Sequence, residues 1–115
     1  VLGIFEQYKT QRKEGVEIDP IEVLLHKLAD YLNGILPTPD VVVSTIKNVE
    51  TQASKNPKND RILREMAGIQ MLVSMIPEFE THIQIVNQTL STLHVLVRLN
   101  PRNILAVADV EIATE

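Results

Sequence analysis

Apolar residues recur along this chain at the three- and four-residue steps of helices, not at the alternate positions of strands. In "DPIEVLLHKLADYLNG" Ile21, Leu24, Leu25, Leu28 and Leu32 share one helical face. Asp19 stands where an N-cap belongs, Pro20 at the first helical position and Asn33-Gly34 at the stop, so the segment predicts an amphipathic helix. "TPDVVVSTIKNVETQASKN" repeats the device with Thr38 and Pro39. Val42, Ile46, Val49 and Ala53 form its apolar stripe, while Ser44, Asn48 and Gln52 occupy another face. The valine triplet favours strand, but a helical pattern of this length overrides it.

Beyond "NPKN" the pattern predicts a short helix from Asp60 to Ala67, broken by Gly68, and a second from Ile69 to Ile76, stopped by Pro77. "ETHIQIVNQTLSTLHVLVRLN" then predicts the longest helix, with Val86, Leu90, Leu93 and Val97 as its core stripe. "NPRN" closes it and "ILAVADV" opens another element. Near the start, "GIFEQYKTQRKEG" predicts a helix with Phe5 and Tyr8 inward and Gly15 as its end. No segment alternates as a strand would, and the expected class is all-α.

The phrase Asn-Pro-basic-Asn occurs twice, at Asn56 to Asn59 and at Asn100 to Asn103, an offset of 44 residues (100 − 56). At the same offset Val42 meets Val86, Ile46 meets Leu90, Val49 meets Leu93 and Ala53 meets Val97. Downstream, Ile62 meets Ile104 at 42 residues (104 − 62). Each seam is expected to work in one way. Its first Asn closes a helix in the left-handed conformation, the proline stops it, and the last Asn caps the next helix. A period in the low forties, split into short, medium and long helices, is the pattern of a helical repeat array.

"NDRILREMAGIQMLVSMI…IVNQTLSTLHVLV" resembles an armadillo repeat of the armadillo/HEAT-like family. The resemblance rests on Ala67-Gly68 at the first turn, on Ile69, Leu72 and Val73 in the second helix, and on Thr89-Leu90-Ser91-Thr92-Leu93 in the third. Gly68 is expected to permit the sharp turn. Residues 59–100 match one nearly complete repeat, 16–58 a partial preceding one and 101–115 the start of the next. Thr89 stands where the family has a small Ala, and Asp109-Val110 replaces the Ala-Gly turn in the last piece. The resemblance implies a right-handed α-solenoid (an α-α superhelix), of which this chain would be a single domain or a fragment. An opening "VLGIF" without Met and an ending "VADVEIATE" without a helix stop fit the fragment.

With 115 residues and 44% apolar content, the chain can bury a core. It has two Phe, two Tyr and no Trp, so that core must be aliphatic. A net charge of −4 and the short, interrupted basic run "YKTQRK" argue against a nucleic-acid surface. Zero cysteines leave no disulfide or thiolate chemistry and fit an intracellular, cytoplasmic setting. Apolar runs of three residues are too short for a membrane span.

Chemistry has little to build on. His26, His82 and His94 do not converge, since His82 and His94 lie about 120° apart on one predicted helix, and no metal or cofactor is expected. The pairs Glu78/Glu80 and Asp109/Glu111 sit at a loop and near a chain end as solvated charges. Ser44, Ser74 and Ser91 have no base in reach of sequence, and Gly3, Gly15, Gly34 and Gly68 are too dispersed for a phosphate loop.

What remains is surface. The resemblance implies that third helices line a groove whose polar positions hydrogen-bond a partner's backbone. Asn48 matches the family's groove Asn; Thr92 departs from it, and Ser44 and Gln88 stand where the import receptors carry Trp, which argues against a reader of nuclear-localisation signals. The candidate binding row is therefore Ser44, Asn48, Gln52, Gln84, Gln88 and Thr92. The expected function is a non-catalytic protein-interaction scaffold for a peptide, a helix or a partner domain. Within the family, modules of a small-GTPase effector such as a formin and of a chaperone cofactor both fit, with a small GTPase or a chaperone as partner. The competing expectation is a self-contained helical bundle that regulates or assembles as a homodimer. Leu2, Ile4, Ile104 and Val107 at the ends would then be its self-association surface.

Overall fold

A computed structural model describes residues 19–107 of the chain. The expected helix around Phe5 and Tyr8, the ends Leu2 and Ile4, and the Asp109-Val110 turn with Glu111 lie outside the described residues. Within them the protein is all-helical, with no strand. Helix α1 spans Pro20–Leu32, α2 Pro39–Lys55, α3 Pro57–Glu65, α4 Gly68–Glu78 and α5 Ile83–Leu99. A further helical stretch covers 102–107.

Prolines start three of these helices. Pro20, Pro39 and Pro57 sit in the first turn, where a missing N–H costs nothing. Asp19 and Thr38 hold the extended backbone of an N-cap, yet neither side chain makes the capping bond. Asp19 instead pairs with Lys58 at 3.2 Å, tying the start of α1 to the start of α3.

The predicted stripes of α1 and α2 are buried. Ile21, Leu25 and Leu28 are fully enclosed, Leu24 and Leu32 are half-buried, and Val42, Ile46, Val49 and Ala53 all face inward. Each full burial is worth about 1.5–3 kcal/mol. Thr45, outside the stripe, is buried as well, its hydroxyl shared between Tyr31 Oη at 3.0 Å and the Val41 carbonyl at 2.9 Å.

Helix α5 departs from expectation. Its buried residues are Ile85, Thr89, Thr92, Leu93 and Leu96, while Leu90 is 50% exposed and Val86 and Val97 are half-buried. The apolar offset that aligns with α2 is thus 43 residues (85 − 42): Val42 with Ile85, Ile46 with Thr89, Val49 with Thr92, Ala53 with Leu96. Helix ends and seams keep the offset of 44, so α5 is turned by about one residue, roughly 100°, on its axis. Two threonines make this register possible. Thr89 donates to the Ile85 carbonyl at 2.8 Å and Thr92 to Glu50 Oε1 at 3.0 Å, so both hydroxyls enter the interior with partners.

The seams also act differently from expectation. Asn56 (φ −161°, ψ 159°) and Asn100 (φ −150°, ψ 121°) are extended, not left-handed. A following proline clashes with a helical or left-handed predecessor and pushes it to the extended region. Asn56, not Asn59, caps α3, accepting the Asn59 N–H at 2.8 Å, so α3 starts at Pro57. Asn100 accepts the Arg102 N–H at 3.0 Å in the same way.

Between α3 and α4 the left-handed residue is Ala67 (φ 57°, ψ 33°), not Gly68. Gly68 serves close approach instead. A Cβ there would lie 2.9 Å from the Leu63 carbonyl and 3.0 Å from Leu25 Cδ2, so the glycine lets α4 lie down on α3 and α1. Pro77 does not stop α4, which runs to Glu78; the Phe79 N–H still reaches the Met75 carbonyl at 3.0 Å.

The helices form two rows. α1 packs beside α4 and α2 beside α5, while α2 also rests on α1 and α5 on α4; α3 bridges α1, α2 and α4. The starts of α2 and α5 meet at one pocket and their ends at another, so the two helices run parallel.

Candidate functional site

The seam is the most organised polar region of the described residues. Asn59 is buried and its Nδ2 donates to the Gln52 carbonyl at 2.8 Å; Asn103, fully buried, donates to the Leu96 carbonyl at 2.8 Å. Both acceptors lie seven residues earlier, in the last turn of a long helix, where the Leu96 carbonyl also accepts the Asn100 N–H at 3.2 Å. The repeated Asn is therefore a clasp that satisfies the helix end and pins the next helix to it.

The second clasp continues into a charged network. Asp60, 3% exposed, accepts from Arg64, from Asn100 Nδ2 at 3.0 Å and from Asn103 Nδ2 at 3.0 Å, while Arg64 also reaches Asn103 Oδ1 at 3.2 Å. A pocket of about 220 Å³ opens beside it, between Ala53–Pro57 and Leu99-Asn100. Its carboxylate already has three donors, which is the arrangement of a structural joint between α3, α5 and the stretch 102–107.

The predicted binding row does not form one ladder. Thr92 is fully buried and donates to Glu50, and Gln88 Nε2, half-buried, donates to Thr92 Oγ1 at 3.0 Å, so both are committed inside the α2–α5 joint. Ser44, Asn48 and Gln84 are exposed and Gln52 is half-buried, its carbonyl taken by Asn59. Glu50 marks the flank of α2 that meets α5. At 100° per residue Asn48 and Gln52 point about 160° from Glu50, whereas Ser44 points about 120° from it, within about 20° of Thr51. Asn48 and Gln52 thus lie on the flank opposite α5.

A different set is brought together. Lys47, Thr51 and Ser54 lie at one- and three- or four-residue steps from Glu50 and are exposed; across the joint, Gln84 and Ser91 are exposed beside Gln88. This open face mixes donors and acceptors with one cation, which suits hydrogen bonding to a main chain. Sequence reasoning missed Ser91 because the α5 register was set one residue off, and Lys47, Thr51 and Ser54 because the α2 positions followed the resemblance and not the flank that meets α5. The signal that would have found them is the spacing of Thr89 and Thr92 with Ile85 and Leu96.

Other candidates stay apart. His82 precedes α5, His94 is exposed on it and His26 is half-buried on α1. Among the described residues no group of three or more His, Cys, Asp or Glu could hold a metal ion. Glu78 and Glu80 are exposed on either side of the buried Phe79. No described helix is long and apolar enough to cross a membrane. No family model, curated protein or solved structure matches the chain.

Proposed function

We propose that this chain is an armadillo-like α-solenoid segment acting as a non-catalytic protein-interaction scaffold. The observation that carries the reading is the duplicated clasp, in which Asn59 and Asn103 bind the Gln52 and Leu96 carbonyls 44 residues apart (103 − 59). Equal joints at equal spacing stack helices in rows, and stacked rows present extended faces instead of pockets. The α1–α4 and α2–α5 rows support it. The face offered to a partner is Lys47, Thr51 and Ser54 with Gln84 and Ser91, and the ligand is a peptide or helix whose main chain those groups bond. A small GTPase and a chaperone remain the partner classes the resemblance implies, in an intracellular setting.

The test is a peptide-display selection against the 115-residue chain, followed by amide chemical-shift mapping of the winners. Shifts centred on Lys47, Thr51 and Ser91, with binding weakened by Lys47→Glu, are the expected result. Peptides that map to the Asn48–Gln52 flank, or that ignore Lys47→Glu, refute this face.

A second reading, the homodimeric bundle, is favoured by one observation. Leu90 is 50% exposed on a flank of α5 that also carries half-buried Val86 and Val97. Of its predicted end residues Ile104 is 53% exposed, whereas Val107 is half-buried. Sedimentation equilibrium decides it, because a dimer through that flank dissociates in Leu90→Lys.

A further inference from the structure

Charge is divided between the two edges at which α2 and α5 start and end. No Lys or Arg occurs between Lys27 and Lys47 or between Arg64 and Arg98. Among the described residues the edge where α2 and α5 begin is therefore built without those cations, and it exposes Asp40, Glu78 and Glu80. Two helix N-termini bring about +0.5 charge each to it, which three carboxylates exceed. At the other edge Asp19, Asp60 and Glu65 are ion-paired to Lys58, Arg64 and Arg61. Lys55, Arg98 and Arg102 are exposed there as further positive charge among the described residues. The length of α2, 17 residues, separates the two edges by about 25 Å.

Both edges are also apolar where they face solvent. At the acidic edge a pocket of about 100 Å³ is lined by Leu36, Pro37, Pro39, Phe79, His82 and Ile85, among others. Ile35 and Ile83, next to these liners in the chain, are 65% and 68% exposed. Two prolines hold one wall, and Phe79 and His82 meet edge-to-face at 6.3 Å, so the site is shaped in advance. At the basic edge Leu99, Ile104 and Leu105 are exposed beside Arg98 and Arg102. An aliphatic side chain adjacent to an arginine is the chemistry that an apolar pocket rimmed by carboxylates recognises.

We propose that the acidic edge of one molecule receives the basic edge of a second copy, with an aliphatic side chain of the 99–105 segment in the pocket and Arg98 and Arg102 opposite Glu78, Glu80 and Asp40. The contact is head-to-tail, so each copy keeps one free edge and the assembly grows as an open chain. It goes beyond the scaffold reading, since it uses the ends of α2 and α5 and leaves their open face free for a ligand.

Sedimentation velocity on the whole chain tests it. The weight-average coefficient should rise with protein concentration and fall as salt is raised from about 0.05 M to about 0.5 M. Glu78→Lys/Glu80→Lys should weaken association by about tenfold or more, as should Arg98→Glu/Arg102→Glu. An equimolar mixture of the two variants should regain concentration-dependent association, because the native acidic edge of one meets the native basic edge of the other and the two reversed edges are also of opposite charge. Leu90→Lys should change nothing. Circular dichroism confirms that the variants, all at exposed positions, remain helical. A chain that is monomeric at every concentration, a mixture that does not regain association, or association lost in Leu90→Lys overturns the proposal. So does saturable binding of an added Lys/Arg-flanked leucine peptide to the acidic edge of a chain that does not associate, which would make a different protein the occupant. A failed open-face titration leaves these results unchanged, so the two readings fail separately.

Discussion

Truncating Asn103 to alanine removes more than truncating Asn59, although both stand at the same place in the repeated phrase. Asn103 is fully buried and donates both to the Leu96 carbonyl at 2.8 Å and to Asp60 Oδ1 at 3.0 Å, besides accepting from Arg64. The Leu96 carbonyl keeps the Asn100 N–H at 3.2 Å, so the neutral bond lost there is worth about 0.5–1.5 kcal/mol, and a hydrogen bond to a charged group contributes about 1.5–3 kcal/mol. Asp60 keeps Arg64 and Asn100, so the second cost is not incurred in full, and the expected loss is about 3 kcal/mol. Asn59 donates to the Gln52 carbonyl alone among the described side-chain bonds, and Asn59→Ala should cost about 1–2 kcal/mol. Urea unfolding followed by far-UV circular dichroism measures both, with an unchanged m value showing that the folded state stayed compact. Against a typical total of about 5–15 kcal/mol the difference is easily resolved. Combining Asn103→Ala with Asp60→Ala should give a coupling energy of about 1–3 kcal/mol. If both Asn variants cost less than about 0.5 kcal/mol, or Asn59→Ala costs the more, the clasp is not what joins the helices.

The remaining predictions concern packing and register. Gly68→Ala should destabilise by about 1–3 kcal/mol because the Leu63 carbonyl cannot move aside for a Cβ, whereas Ala67→Gly should lie within about 1 kcal/mol of the parent, left-handed strain being relieved as unfolded-state entropy rises; thermal melts separate the two. Leu90→Lys should change stability by no more than about 0.5 kcal/mol, while Leu96→Lys, fully buried, should abolish cooperative unfolding; the opposite order would restore the predicted α5 stripe. Asn48→Ala should be stability-neutral within about 0.5 kcal/mol and leave a peptide bound at the open face in place, read by isothermal titration, because Asn48 is exposed on the other flank.

Local rules were legible wherever a residue acts on its own backbone or on a neighbour four positions away. Proline at the first turn, Gly34 with its positive φ of 89° after α1, and the stripes Ile21-Leu25-Leu28 and Val42-Ile46-Val49 lie where periodicity and capping chemistry put them. The all-helical class and the recurrence of Asn-Pro-basic-Asn belong to the same level. The register of α5 does not. A threonine reads as polar until a partner is known, and Thr92 becomes a core residue because Glu50, 42 residues earlier, accepts its hydroxyl. For the same reason Leu90 reads as core and is half outside, since nothing among the described residues covers that flank of α5. The α5 half of the binding row followed the misplaced register, and which flank of α2 meets α5 is set by Glu50 and Thr92 across the joint, so the open face of Lys47, Thr51, Ser54 and Ser91 is defined only by the two helices together.

Gly68 illustrates the same division at one residue. Its need to be small is set by Leu63 and Leu25, and its neighbour Ala67 takes the left-handed turn. By itself the sequence determined the starts of α1 and α2 at Pro20 and Pro39, the end of α1 at Asn33-Gly34 and that a joint recurs, because those are contests between a side chain and the nearest peptide groups. Only the tertiary structure decided which side of each helix is buried and which polar groups face one another. Burial is a property of what lies across the interface, and a hydroxyl or amide can enter the interior once a partner there accepts its hydrogen bond.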